Sequence, residues 1–156
     1  MTTTTTTTDD VKERISQLRD EQQVLEAVLA FADARDRHDL AAALERCSED
    51  VTVVVDGPAA ASFAAADGID ELAALWADDA LRVPFVMQFH SDLDVALHDD
   101  RAVVTGTVIA TATRAGGDGD QGRWWSAILS VELSRSLDDW TITALRYDPI
   151  MDSPYE

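Results

Sequence analysis

The chain of 156 residues holds one cysteine, Cys47, and one lysine, Lys12. A single thiol cannot close an internal disulfide, so nothing in the sequence calls for an oxidising compartment. Cys47 stands in "LERCSED", at the end of an amphipathic stretch. That setting suits a small buried hydrophobe better than a nucleophile. Basic residues are few, 12 against 30 acidic, for a formal net charge of −18. Phosphates would be repelled by such a surface, which excludes nucleic acid and anionic membranes as partners. With 22 Asp and 8 Glu, the acidity is dispersed and fits either self-repulsion for solubility or a salty cytoplasm.

No apolar run approaches about 18 residues, and "MTTTTTTTDD" has neither a basic region nor an apolar core. A cytoplasmic chain is expected. Also missing are a glycine-rich phosphate loop, a Gly-x-Ser-x-Gly elbow, a Cys/His zinc spacing and a dinucleotide fingerprint. "AGGDGDQG" has calcium-like acids without the closing Glu and reads as a hairpin loop. No cofactor is expected, and any chemistry must come from side chains alone.

What is present is one domain's worth of patterned sequence, 46% hydrophobic. Residues 1–9 read as a disordered Thr-rich tail, 10–150 as one domain and 151–156 as a C-terminal tail. From Val11 to about Arg37 apolar residues recur at three- and four-residue spacing, giving one long helix or two breaking near "RDEQQ". "DLAAALERC" predicts a short helix capped by Asp39, and "VTVVVDG" a strand. "PAAASFAAADG" reads as a loop with a short strand before Gly68, and "IDELAALWADDAL" as a third helix. Four β runs follow, Phe85–Leu97, Arg101–Arg114, Gly122–Ser134 and Trp140–Tyr147, with "HDDR" and "LDDW" as tight turns. Three helices before an antiparallel meander make an α+β domain with helices on one face of a curved sheet.

Across residues 11–149, this order and several motifs resemble the nuclear transport factor 2-like superfamily, in its SnoaL-like branch of polyketide cyclases and scytalone dehydratase relatives. "FADARDRHDLAAALERCSEDVTVVVDG" is similar to that branch's opening signature, "GIDELAAL" to its third helix, "MQFHSDLDV" to the strand with its pocket histidine, and "LDDWTITALRYDP" to its closing strand. The resemblance implies a cone-shaped, mostly antiparallel sheet wrapped around the long N-terminal helix, leaving an open apolar pocket. It also implies a homodimer, often through the outer sheet face. Arg35 stands where the branch often has Tyr, and the second pocket histidine of the dehydratases has no counterpart here.

Asp36, ending the long helix, and His90, on a facing strand, form the candidate catalytic pair. A carboxylate beside an imidazole in a partly dry cleft raises its basicity and supports proton transfer near neutral pH. The alternative is a buried His satisfied by Asp36 that only fixes helix to sheet. Asp33 lies one turn before Asp36 and could share its face, or pair with Arg37 four residues on. Arg35 could hold an anionic group at the pocket mouth. Strand alternation places Asp92 and Asp94 on the face of His90, and Phe89, Leu93 and Val95 on the other, so Asp92 is expected to enter the cone. His-x-Asp-x-Asp along one strand spreads its donors by about 6.6 Å per step, too far to wrap a metal. Trp124 and Trp125 point to opposite faces, one a candidate pocket wall, while Phe31 and Tyr147 complete the substrate-binding candidates. Trp76 and Trp140 read as core, and His38 and His98 as solvated turn residues.

Two functions fit this pattern. One is a cofactor-free acid/base enzyme, a cyclase, isomerase or dehydratase, acting on a small hydrophobic cyclic or polyketide-like carbonyl compound. The other is a non-catalytic small-molecule-binding or dimerisation module of the same fold.

Overall fold

The computed structural model describes residues 4–56, 65–82, 85–114 and 121–153. Helix α1 spans Thr4–Asp36, α2 Leu40–Glu45 and α3 Ile69–Arg82; the strands are β1 Cys47–Val55, β2 Ala66–Asp67, β3 Phe85–His98, β4 Arg101–Arg114, β5 Gln121–Ser136 and β6 Asp139–Ser153. They form one six-stranded sheet in the order β2-β1-β6-β5-β4-β3, curved and unclosed. Every pairing is antiparallel except β1 with β6.

Helix α1 is continuous through "RDEQQ", and the threonine tract expected to be a disordered tail is helical from Thr4. The inward stripe Val24, Ala27, Val28, Phe31 and Ala34 is buried, at the spacing of one helical face. Arg135 clamps the middle of the helix to the sheet through Asp20, at 2.9 and 3.2 Å. At its C-terminus His38 turns left-handed, φ 56°, and the Asp39 N–H bonds back to the Ala34 carbonyl at 2.9 Å. This is the helix stop that glycine usually supplies. The Asp39 side chain then accepts from the Ala42 N–H at 3.2 Å, capping α2 as the sequence suggests.

On α3, Leu72 and Trp76 are buried and Ile69 and Leu75 pack beside them, the face expected from their spacing. Glu71 reaches back to the Asp67 N–H at 2.9 Å and, with Asp70, complements the helix dipole. The two expected tight turns are present at Asp99–Asp100 and Leu137–Asp138. Strand boundaries move outward: β1 begins at Cys47 rather than Val51, and β6 continues to Ser153 through the expected tail. The start of the loop "PAAASFAAADG", most of "AGGDGDQG" and the last three residues lie outside the described residues.

One irregularity decides which side chains face inward. Between Ser91 and Asp94 the β3–β4 register shifts, and Asp92 adopts φ 53°. A bulge of this kind inverts the alternation downstream. Val86, Gln88 and His90 are half-buried before it, and Leu93, Val95 and Leu97 after it, so Leu93 and Val95 join the core instead of leaving it. The bulge needs room on β4, which Gly106 provides: a Cβ there would stand 2.6 Å from Leu93 Cδ2 and 2.9 Å from the Ser91 carbonyl oxygen.

Candidate active site

A cavity of about 100 Å³ opens between the C-terminal end of α1, α3 and the concave sheet face. Val53, Val55 and Leu145 supply its apolar floor; Trp76 and Trp125 are walls; Arg35, Gln88 and Tyr147 bring its polar groups. Each arrives by local rule. Trp125 and Tyr147 fall on inward positions of β5 and β6 and meet edge to face, centroids 6.0 Å apart at 83°. Trp76 leans on Phe31 at 5.5 Å, and the Arg35 guanidinium lies 4.1 Å from the centre of the Trp76 ring. A buried indole face under a guanidinium is a cation–π contact that orients the cation.

The electrostatics follow from burial and from that cation. Burial raises the Tyr147 phenol above its ordinary value, while Arg35 pulls it back. The phenol therefore keeps its proton at neutral pH and is a hydrogen-bond donor. Burial lowers the His90 imidazole, and the neighbouring Asp36 charge opposes the shift. His90 is therefore a neutral base at neutral pH. Burial pushes the Cys47 thiol up to about 12, leaving it inert, with its Sγ on the Ala43 carbonyl at 3.6 Å.

Asp36 binds differently from the expected pair. Its carboxylate accepts from the Gln88 backbone N–H at 2.9 Å and from Gln88 Nε2 at 3.1 Å. Its hydrogen-bond partner is Gln88, and His90 stands two residues further along the same face of β3, close enough to feel its charge. His90 is half-buried but does not line the cavity.

The remaining candidates divide. Trp125, Tyr147 and Arg35 meet at the cavity, whereas Phe31, only 5% exposed, backs Trp76 from behind. Trp124 faces outward, 42% exposed. Asp33 is exposed and paired with Arg37 through their side chains. Asp92 is exposed on the bulge, because the register shift breaks the alternation that would have carried it inward. Sequence reasoning overlooked Gln88, the one amide in an otherwise apolar run and of the same parity as His90. It also took Trp76 as core alone, although the ring both packs and forms a wall.

A larger groove of about 510 Å³ lies toward the β5–β6 turn, bordered by Glu26, Glu45, Asp138 and Asp139. It is open and acidic, so it lacks the dry surroundings that strengthen proton transfer. Among the described residues no group of three or more His, Cys, Asp or Glu side chains is placed to hold a metal ion. Among them, too, no helix is long and apolar enough to cross a membrane.

No family model matches the chain, and no curated protein is similar to it in sequence. Solved structures are similar in fold. A candidate scytalone dehydratase from Novosphingobium aromaticivorans DSM 12444 superimposes with TM-score 0.76 at 12% identity, covering 92% of each chain. The hexachlorocyclohexane dehydrochlorinase LinA-type3 from Novosphingobium barchaimii LL02 gives 0.75 at 14%, covering 90% of this chain and 93% of its own. A candidate dehydratase of the NTF2-like family from Streptomyces avermitilis gives 0.70 at 20%, covering 85% and 98%. With its long helix seated in a curved six-stranded sheet, the chain therefore has the nuclear transport factor 2-like fold.

Proposed function

We propose that the protein is a cofactor-free acid/base enzyme, a cyclase, isomerase or dehydratase, acting on a small hydrophobic carbonyl compound that is cyclic or polyketide-like. One observation carries this reading: a neutral imidazole beside a carboxylate, His90 by Asp36, adjoins a cavity where a protonated phenol, Tyr147, and a guanidinium, Arg35, converge. His90 takes the proton α to the carbonyl, and the C–H electron pair moves into the C=O to form an enolate. Tyr147 donates to the developing oxyanion, with Arg35 adding positive charge. The imidazolium then returns its proton to another carbon, to a departing hydroxide, or to the alkoxide formed when the enolate carbon attacks a second carbonyl. Those outcomes are isomerisation, dehydration and cyclisation. Trp76 and Trp125 form walls suited to a flat substrate.

Because His90 stands one inward position beyond Gln88, roughly 6.6 Å along β3, the substrate has to extend from the cavity past the Gln88 side chain. That same spacing favours a second reading, a non-catalytic cone that binds a small molecule without using His90. Turnover separates them. Once a substrate is found, His90→Ala is expected to lower kcat by roughly 10² to 10⁴ with the fold intact. Binding of the same compound unaffected by His90→Ala, with no turnover in either protein, supports the binding module.

The names of the fold neighbours, two dehydratases and a dehydrochlorinase, support elimination chemistry without specifying a substrate. The lone, buried Cys47 supports a cytoplasmic setting, and the apolar surface left exposed on α1 supports a homodimer.

A further inference from the structure

From Thr7 to Arg19 every residue of α1 is exposed, yet the segment is helical. Threonine-rich helices this short are marginal in water without a packed face. The outer surface of α1 carries such a face: Val11 is 52% exposed, Ile15 46%, Leu18 47% and Leu29 46%. With Gln22 and the half-buried Leu25, these residues are spaced alternately by four and three, and the stripe runs about 27 Å along the side of the helix turned away from the core.

We propose that this stripe pairs antiparallel with the same stripe of a second copy of the chain. The inference does not depend on the chemistry assigned to the cavity; it names the surface of the homodimer. Antiparallel pairing places Val11 against Leu29 of the second copy, Ile15 against Leu25 and Leu18 against Gln22, so the layers close symmetrically. Charge decides the orientation. The flanks of the stripe are basic in the N-terminal half, at Lys12, Arg14 and Arg19, and acidic in the C-terminal half, at Glu21 and Glu26. A parallel pair sets Arg14 beside Arg19 and Glu21 beside Glu26, each twice, all four contacts repulsive. The antiparallel pair sets Lys12 beside Glu26 twice and leaves one like pair on each flank at the centre, Arg19 with Arg19 and Glu21 with Glu21. Its C-terminal half is already fixed on the sheet by Val24, Val28 and the Asp20–Arg135 bridge, which lowers the ordering cost of a short helix pair. Gln22 is the one polar residue in the stripe and weakens the pair.

A rival surface exists on the outer sheet face, where Phe89 and Ile109 are paired and Met151 lies across β5 in the same row, 57, 46 and 53% exposed. Sedimentation of the full chain distinguishes the two. The wild type is expected to be a dimer that tightens as salt rises, because screening relieves repulsion between two copies of charge −18. Leu18→Glu is expected to give a monomer with an unchanged near-UV spectrum, Gln22→Leu a tighter dimer, and Phe89→Glu no change. A monomeric wild type overturns the proposal. So does a dimer that survives Leu18→Glu, ignores Gln22→Leu, or is broken by Phe89→Glu.

Discussion

Asp36 holds Gln88 by two hydrogen bonds, one from the backbone N–H at 2.9 Å and one from the side-chain amide at 3.1 Å. The C-terminal end of α1 is thereby pinned to β3 at the position next inward from His90, and the Asp36 charge is fixed beside the imidazole. Asp36→Asn removes that charge and is expected to lower the His90 pKa further, since burial then acts unopposed. Following the His90 ring signals by NMR in both proteins checks it; an upward move contradicts the assignment. Gln88→Ala removes the side-chain donor to the half-buried Asp36 carboxylate while keeping the backbone N–H, and should cost about 1–3 kcal/mol of stability in urea.

The sign of His90's effect on folding follows from its lowered pKa. The unfolded chain binds the proton more readily than the folded one, so stability is complete above the ordinary value of 6.5 and is lost as pH falls through the lower folded value. His90→Gln should flatten that limb of the urea midpoint against pH while leaving the plateau above neutrality nearly unchanged. An equal slope in wild type and variant would show that His90 is solvated in the folded state.

Gly106 makes the β3 bulge possible. Gly106→Ala drives a methyl group into Leu93 and the Ser91 carbonyl, and the backbone cannot yield without losing the register that separates His90 from Asp92. The expected cost is about 1–3 kcal/mol, measured by chemical denaturation, with a shift in the His90 signals that a remote destabilising change would not produce.

Cys47, with its thiol pushed up to about 12 and its side chain buried, should resist alkylation near pH 8 in the folded protein and react promptly on unfolding. Rapid labelling under native conditions would place the thiol in solvent.

Periodicity made most of the fold legible. The spacing of Val24, Val28 and Phe31, the Asp39 cap, the Leu72 and Trp76 face and the two tight turns all follow from local rules. Helix α1 reaches into the threonine tract although threonine is a poor helix former, which a propensity scale does not foresee. The site was half legible. Residue type identified Asp36, Arg35, Trp125 and Tyr147, which the structure gathers around or beside one cavity. The fate of Asp92 was not, because alternation holds only while register holds, and the bulge depends on an absent side chain on another strand. Gln88 was missed because an amide suggests no chemistry by itself; its importance lies in what it does to Asp36.

The most direct measurement is the NMR titration of His90 in the full chain, alone and with a small planar phenol or enol as a mimic of the proposed enolate. A midpoint below 6.5 is expected without ligand, with a clear displacement of that midpoint when the mimic binds, a displacement lost in Tyr147→Phe. An imidazole that titrates at the solvent value and is indifferent to every such compound would contradict it.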